Sequence, residues 1–254
     1  MKLNSIRNGL LLLGISALLF TLNSCLGDSS MNSSSVTSNT NTGIGGSMAR
    51  FTTVDDYMYC VDNTTLRIFS LSQGTARYIK QTTIGVNVET IFARGNVLFM
   101  GTSNGVYIYS IEKRDEPVQL SLYQHIVSCD PVVADDKFAY ATLRTERTRC
   151  DRGINALDVI NISNLKNPFL VYRIDKSQPK GLGLYGDRLV VCNNGIELIN
   201  VKDRIVPVVI QKNNKVVPND VILLGTKGIG LLDNGLVNFD FSNDSIKIVG
   251  QLTY

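Results

Sequence analysis

The sequence predicts an all-β domain built from five similar four-stranded units, preceded by an N-terminal segment of a different character. The first observation is composition: the 254 residues contain no Trp and are rich in Val, Ile, Leu, Asn and Gly, which is typical of β-sheet proteins. The second is a pair of turn residues followed by an apolar strand. The second residue of this pair recurs at positions 56, 96, 136, 187 and 226. The third is the last apolar residue of a later strand, which recurs at 71, 111, 162, 201 and 241. In both series the copies are 39 or 40 residues apart, with one interval of 51 (187 − 136 and 162 − 111).

The N-terminus has the pattern of a bacterial secretory signal. Residues 1–9 are basic and residues 10–22 are almost wholly apolar, over a length too short for a comfortable membrane span. The run ends in Leu-Asn-Ser-Cys at Cys25, which resembles the lipobox of lipoproteins. That resemblance implies a signal peptide over residues 1–24, cleavage before Cys25 and a diacylglycerol on its sulfur. An ordinary signal peptide followed by an incidental Cys is the alternative.

Residues 25–47 are predicted to be a flexible, lipid-anchored tether. After Cys25 they are almost entirely Ser, Thr, Asn and Gly, so they have no face to bury. The formal net charge is +3, and loss of Lys2 and Arg7 with the signal leaves the mature chain near +1 (3 − 2). We therefore expect no binding to nucleic acid. We expect contact with a membrane through the N-terminal lipid, and a location in the bacterial cell envelope, at the outer membrane or the cell surface.

Each unit is predicted to contain four short strands, A to D. Strand A ends at the turn pair, strand B follows it, and strand C alternates apolar and polar residues, which is the period of a half-buried strand. Asn-Gly pairs after strand B favour tight hairpins, and Pro stands near the start of strand D in three units. The predicted domain spans residues 48–254, with units 48–85, 86–126, 127–176, 177–216 and 217–254.

Four antiparallel strands repeated about every 40 residues are typical of β-propeller blades. Blades packed face to face bury the two apolar faces that a lone sheet would leave in water, so we predict a five-bladed β-propeller whose mode of closure stays open. Residues 157–171 (LDVINISNLKNPFLV) and 196–210 (IELINVKDRIVPVVI) resemble the LVIVD repeat: an apolar strand, Asp or Asn, a polar loop ending in Pro, and another strand. The first and last units lack the Pro. The resemblance implies a secreted or lipid-anchored propeller, from a family that mostly has no assigned activity.

The cysteines divide into three groups. Cys25 is assigned to lipid, and Cys60 and Cys192 lie in B strands of units that are not neighbours in a five-membered ring, so both are expected to be small buried apolar residues. Cys129 begins strand A of the third unit, and Cys150 lies in the B–C loop of the same unit. These positions share one face on adjacent strands, within reach of the separation that a disulfide needs. Export supplies an oxidising compartment, so we predict a Cys129–Cys150 disulfide.

The third unit carries the one large insertion, between Thr142 and Leu157, and it is rich in Arg. His125, the only His of the chain, precedes this unit and falls on the same face. Long loops on a rigid scaffold often carry function, and clustered Arg can bind an anionic ligand or an acidic partner. The alternative is a solvated loop whose Arg side chains pair with Glu146 and Asp151. The candidate binding face consists of His125, Arg144, Arg147, Arg149 and Arg152.

Other chemical signals are sparse. The sequence has no HExxH, CxxC, Walker or GxGxxG motif, and the Asp55-Asp56 and Asp135-Asp136 pairs fall in turns, where Asp is common. We therefore predict no catalytic residue, no metal and no cofactor. The predicted function is a non-enzymatic cell-envelope lipoprotein whose propeller is a binding scaffold for an envelope or extracellular protein or an anionic ligand. A metal-dependent propeller hydrolase or lyase and a purely structural envelope protein are the alternatives.

Overall fold

Antiparallel strands account for most of the described chain. The computed structural model describes residues 45–125, 131–145 and 154–254, and these contain no α-helix. The first two units contain six strands: β1 (Phe51–Val54), β2 (Tyr57–Ser70), β3 (Arg77–Arg94), β4 (Val97–Thr102), β5 (Gly105–Ser110) and β6 (Val118–Gln124). The third and fourth contain eight: β7 (Val132–Ala134), β8 (Phe138–Leu143), β9 (Ala156–Asn161), β10 (Phe169–Asp175), β11 (Pro179–Tyr185), β12 (Arg188–Asn193), β13 (Ile196–Asn200) and β14 (Val208–Asn213). The fifth contains four: β15 (Asp220–Leu224), β16 (Lys227–Leu232), β17 (Gly235–Asp240) and β18 (Lys247–Thr253). Two short 3-10 turns precede the outer strands of the first and last units: η1 (Ser72–Gly74) and η2 (Ser242–Asp244).

Strand β2 folds back on itself and so supplies both central strands of the first unit. Strand β1 pairs with residues 57–60, whereas β3 pairs with residues 63–70. The amide of Leu71 donates to the carbonyl of Asp56 at 2.7 Å. A straight strand of this length would place those two groups roughly 45 Å apart. The chain must therefore reverse between the two parts, and Asn63, with φ 48°, lies at the reversal.

Strand β3 joins the first two units into one sheet. Its first part pairs with β2, and residues 88–94 pair with β4. The predicted boundary between residues 85 and 86 therefore falls inside a continuous strand, because each half of β3 has a partner and no turn is needed between them. The result is a six-stranded sheet in the order β1-β2-β3-β4-β5-β6, while each later unit forms its own four-stranded sheet. The prediction of an all-β chain with four-stranded antiparallel sheets is confirmed for the third, fourth and fifth units.

The predicted turn pairs connect strand A to strand B in each unit. In four of them the first residue has positive φ, a conformation that Gly adopts without a Cβ penalty. Three of the four are Gly and the other is Asp; they are Asp55 (52°), Gly95 (54°), Gly186 (52°) and Gly225 (62°). Residues of the third and fourth turn pairs line one cavity of the domain.

The apolar core lies between successive sheets rather than within any one of them. Four buried clusters connect the first unit to the second, the second to the third, the third to the fourth, and the fourth to the fifth. In the fourth unit both faces of the central strand β12 are buried: Leu189 and Val191 pack toward the third unit, Val190 and Cys192 toward the fifth. Burial of each such side chain stabilises the fold by about 1.5–3 kcal/mol.

The segment before β1 connects the last sheet to the rest. Ser47 is 1% exposed, and its hydroxyl donates to Oδ1 of Asp220 (3.0 Å) while accepting from the amide of Leu182 (2.7 Å). The amide of Met48 donates to Oδ2 of Asp220 at 3.1 Å. Burial raises the pKa of Asp220, against the opposing effect of the hydrogen bonds from Met48, Val221 and Ser47. One buried carboxylate thus holds the start of the domain against β11 and β15.

The same segment continues into the first sheet. The carbonyl of Ala49 accepts from Ile91 in β3 (2.9 Å), and that of Arg50 accepts from Val61 in β2 (2.8 Å). Among the described residues no buried apolar cluster joins the last unit to the first, and Phe51 of β1 is 59% exposed. Backbone and carboxylate hydrogen bonds, rather than apolar packing, therefore make this junction.

Two cysteines lie within the described ranges, and both thiols are free. Cys192 is buried, as predicted, whereas Cys60 is half-buried because it faces away from the core on β2. Cys25, Cys129 and Cys150 lie outside the described residues, so lipidation and the disulfide stay predictions. In the ranges that the structure describes, no helix has the length and apolar character needed to cross a membrane.

Candidate functional site

A cavity of about 630 Å³ opens at the end of the domain where the A–B turns lie. Its wall is formed by inner strands of four units, which converge there because each strand A is the innermost strand of its sheet. Strand β3 contributes Phe92, β7 contributes Val133, β11 contributes Leu182, and β15 contributes Val221 and Leu223. This part of the wall is apolar, and the charged groups of the cavity come from the A–B turns, the end of β3 and the C–D loop of the fourth unit.

Arg204 is the centre of an ionic cluster at this mouth. Its Nη2 lies 3.0 Å from Oδ2 of Asp135, and its Nη1 lies 3.2 Å from Oδ1 of Asp187. The Arg204 side chain is 18% exposed, and its guanidinium lies over the ring of Phe138, 5.6 Å from the centroid. Three elements meet in this contact: the C–D loop of the fourth unit and the A–B turns of the third and fourth.

The two turns hold their carboxylates by local hydrogen bonds. Oδ1 of Asp135 accepts from the amides of Lys137 (2.8 Å) and Phe138 (2.7 Å), so this carboxylate is both a turn former and a partner of Arg204. Asp187 follows Gly186 in the next turn, and its Oδ2 is not engaged by Arg204. The side chain of Asp187 is 47% exposed, which leaves it accessible from the cavity.

Two further cations, Arg94 and Lys137, line the cavity. Arg94 binds Oδ1 of Asp136 through Nε at 3.0 Å, and the two side chains are 45% and 80% exposed. Lys137 lines the cavity and is exposed, and it forms no ion pair with any residue that the structure describes. The mouth therefore presents positive groups that a ligand anion or a carbonyl oxygen could reach.

A buried hydroxyl lies close to the ionic cluster. Tyr140 is fully buried, and among the described residues its hydroxyl has no hydrogen-bond partner. Burial raises the pKa of Tyr140, and the nearby charges of Arg204, Asp135 and Asp187 act on it as well. A buried polar group without a partner is rare in folded proteins and is found at functional sites.

An adjoining groove of about 640 Å³ shares Phe138 and Arg204 with the cavity. Its other wall is the C–D loop of the fourth unit and the first residue of β14. The apolar side chains of this wall are strongly exposed: Ile205 (65%), Val206 (53%) and Val208 (57%).

Buried ion pairs occupy the opposite end of the sheets and join neighbouring units. Asp158 on β9 is fully buried, receives two hydrogen bonds from Arg173 on β10 (2.6 and 2.7 Å), and accepts from the Tyr123 hydroxyl of the preceding unit (2.9 Å). Hydrogen bonding to Asp158 raises the pKa of Arg173. Each polar group in this cluster has a hydrogen-bond partner, so the cluster stabilises the contact between the two sheets.

The fourth unit repeats this arrangement at the equivalent position. Glu197 on β13 binds Lys176 of the preceding unit, Lys212 of β14 (3.1 Å) and the amide of Asn193 (2.8 Å). Burial alone raises the pKa of Glu197, but these hydrogen bonds and the Lys176 charge outweigh it, so the pKa is lowered. Within the described ranges, no group of three or more His, Cys, Asp or Glu side chains is placed to hold a metal ion.

Two residues of the predicted binding face, His125 and Arg144, lie within the described ranges. His125 is half-buried, with its ring 6.2 Å from that of Tyr123, and Arg144 is half-buried at the end of β8. Neither lines the two concavities described above. Arg147, Arg149 and Arg152 lie outside the described residues, so this face stays a prediction.

The sequence did not predict the cavity, because each of its residues fits an ordinary turn, loop or strand position within its own unit. Asp135 was interpretable as a turn residue, and it is one, but it also binds Arg204 from a loop 69 residues away. An internal signal existed: Arg114 occupies the same C–D loop position in the second unit and likewise binds Asp55 of the preceding turn, at 2.7 Å. A basic residue repeated at this loop position indicates contact with the turn of the preceding unit.

Comparison with solved structures shows a β-propeller-like fold. A protein of unknown function from Desulfotomaculum acetoxidans has a TM-score of 0.62 at 10% identity, over 85% of this chain and 70% of that chain. A periplasmic gluconolactonase from Pseudomonas aeruginosa has a TM-score of 0.60 at 15% identity, over 80% and 67%. A candidate 6-phosphogluconolactonase from Bacteroides uniformis has a TM-score of 0.61 at 14% identity, over 78% and 69%. No protein-family model and no curated protein sequence matches the chain, so the resemblance to LVIVD repeats stays a prediction.

These neighbours correct the functional prediction. The expectation that the propeller is a non-enzymatic binding scaffold is wrong, since the fold is shared with enzymes, including the Pseudomonas gluconolactonase; the predicted lipid anchor is a separate matter that these neighbours do not test. That expectation depends on the lack of contiguous catalytic motifs. Propeller sites draw single side chains from several units, as the cavity here does, and a motif search along the chain does not detect such a set.

Proposed function

We propose that the five units form five blades around a central channel, closed by the segment at residues 46–50. The four core clusters between successive units support this arrangement. The hydrogen bonds of Asp220 and Ala49 supply the remaining connection. In such a ring the cavity is one mouth of the channel, which is where ligands of toroidal folds have access to side chains from every blade.

We further propose that the protein is a hydrolase that opens a lactone or ester of a small anionic substrate in this cavity. The observation that carries the proposal is the mouth itself, where carboxylates and accessible cations surround an apolar pocket. Hydrolysis of a carbonyl compound needs a base for water and positive charge for the developing oxyanion, and both are present there. Two fold neighbours with lactonase names make lactones the first class to test.

The residues divide naturally between the two tasks. Asp187 is the proposed general base, because Arg204 orients it through Oδ1 and leaves Oδ2 to accept a proton. Water attacks the carbonyl carbon as its proton passes to Asp187, and Lys137 with Arg94 stabilises the oxyanion. The ring C–O bond then breaks, and the leaving alkoxide takes the proton to give a hydroxy acid. Arg204 is a positioning residue in this scheme.

The test is acid release by the purified protein in a pH-stat, with a sugar-acid lactone, its phosphorylated form and a simple aryl ester. We expect hydrolysis above buffer, a fall in kcat of about 100-fold in Asp187→Asn, and a raised KM in Lys137→Met. Asp115→Asn, which alters an exposed carboxylate in the C–D loop of the second unit, is the control and should behave as the unaltered protein. Absence of hydrolysis for the whole panel, or equal loss in the control, would overturn the proposal.

We also propose that the domain is anchored at the cell envelope through lipid on Cys25. The basic segment, the apolar run and the Cys at its end support this location. Metabolic labelling with a radioactive fatty acid should mark the unaltered chain and not Cys25→Ala. Equal labelling of both chains would remove the lipid anchor from the proposal.

A further inference from the structure

The groove beside the cavity is apolar because of residues that the repeat does not require. The C–D loops of the second, third and fourth units have equal length and end in Pro. The two positions before that Pro are Asp-Glu at 115–116 and Lys-Asn at 166–167, but Ile205-Val206 in the fourth unit. Since the same loop folds with polar residues in two other units, Ile205 and Val206 are not needed to build it. Their side chains are 65% and 53% exposed, which is energetically unfavourable and is not explained by the conformation of the loop.

The groove adjoins the cavity proposed as the active site. Phe138 and Arg204 line both spaces, so a molecule that occupied both would lie against these two side chains. The two spaces differ in chemistry. The cavity mouth carries Lys137 and paired carboxylates. The groove presents the apolar side chains of Ile205, Val206 and Val208, beside the polar residues Asn200, Lys202 and Asp203 of the same loop region.

We propose that the substrate is an amphiphile: a lactone or ester head bound in the cavity, with a linear alkyl or acyl tail lying along the groove. This inference rests on the proposed function, since the head is the reacting group. The tail is an apolar chain because the groove wall offers methyl groups and the Phe138 ring. Each methylene buried there strengthens binding by about fourfold, the equivalent of ~0.8 kcal/mol.

The test uses one lactone ring carrying tails of increasing length. In the unaltered protein KM should fall about fourfold with each added methylene until the groove is filled, with kcat unchanged. The double variant Val206→Ser, Val208→Ser should lose this dependence while keeping its activity on the tailless lactone. Val118→Ser is the matched control, because Val118 is likewise the first residue of a D strand and is 59% exposed.

A second measurement separates this inference from the proposed function. Binding of fluorescent linear carboxylic acids of increasing length is followed without any reaction. Tighter binding with length, lost in the double variant, supports the tail site even if no lactone is hydrolysed. Hydrolysis with no dependence of KM on tail length overturns the tail site and leaves the proposed function standing. A third outcome also overturns the tail site. In this outcome acid binding does not depend on tail length, and the unaltered protein co-sediments with phosphatidylglycerol–phosphatidylethanolamine vesicles whereas the double variant does not. The exposed apolar residues would then bind a lipid surface.

Discussion

Replacing Asp220 with Ala should loosen the junction between the start of the domain and its last two sheets. The carboxylate is 7% exposed and receives hydrogen bonds from the Ser47 hydroxyl and the Met48 amide at 3.0 and 3.1 Å. Ser47 in turn accepts from Leu182, so its loss of position would reach β11 as well. No apolar cluster of the described residues supports this junction, which makes it depend on these bonds.

The magnitude follows from the two donors on the other side of the junction, the Ser47 hydroxyl and the Met48 amide, which the substitution leaves without their acceptor. An unsatisfied buried donor costs about 1–3 kcal/mol, so two cost roughly 2–6 kcal/mol. Burial raises the pKa of Asp220, which shows that the ionised form is held at some energetic cost, and removing it recovers part of the loss. We expect the free energy of unfolding to fall by about 2–4 kcal/mol.

The pH dependence of Asp220→Asn tests the same carboxylate with little change of shape. Because the folded-state pKa lies above the ordinary 3.8, the folded protein binds more protons than the unfolded chain between these two values. The contribution of Asp220 to stability is therefore greatest below pH 3.8 and declines as pH rises through the folded-state pKa. The Asn variant should lack this decline.

Urea unfolding followed by far-UV circular dichroism measures both effects, with hydrogen exchange of the Met48 and Leu182 amides as a local readout. Asp115→Ala, at an exposed carboxylate, should change the free energy of unfolding by less than about 0.5 kcal/mol. A change in Asp220→Ala as small as that of this control, with unaltered exchange at both amides, would refute the account of the junction.

Two further predictions concern groups packed in the fourth unit. Lys176→Met leaves Glu197 buried with fewer partners and should lower the free energy of unfolding by about 3 kcal/mol in urea titration, whereas Lys247→Met, on the surface, should be neutral. Since the folded-state pKa of Glu197 is lowered, its contribution to stability is present above its ordinary pKa of 4.5 and is lost as the pH falls. The free energy of unfolding of Lys176→Met should therefore decrease less steeply toward acid pH than that of the unaltered protein. An equally steep decrease would contradict this. Gly181→Ala places a Cβ against the carboxylate of Asp220 in β15 and 2.7 Å from the Cα of that residue. The free energy of unfolding, measured by thermal unfolding, should therefore fall by about 1–3 kcal/mol. Gly45→Ala meets its nearest atom at 3.7 Å and is the control, and equal Tm values for the two variants would contradict this account of Gly181.

Local sequence accounts for most strands of this protein. Alternating apolar residues, turn pairs and Pro positions placed the inner strands of the units, because these signals depend on neighbours within a few residues. Strand β15 begins at Asp220 and β16 follows Thr226, as the pattern predicts. The continuous β3 was not predictable in this way. Its two halves pair with different units, and only those partners show that no break is needed.

The candidate site was much less predictable. Arg204, Asp135 and Asp187 are scattered over two units and follow ordinary turn and loop patterns. Sequence reasoning favoured the Arg-rich insertion because a departure from the repeat is visible along the chain. Contacts between a C–D loop and the turn of the preceding unit require knowledge of how sheets pack, which local periodicity does not contain.

Residues close together in the chain specify the repeat, the strand order within a unit and the all-β class, because hydrogen-bonded hairpins form between neighbouring segments. Where charge and apolar surface meet depends instead on how the sheets pack. Arg204 between two carboxylates, the cavity behind it and the groove of Ile205 and Val206 exist only once sheets are packed side by side. This packing also decided that Asp220, a plain strand residue in the sequence, binds the first residues of the domain, since that contact joins groups 172 and 173 positions apart.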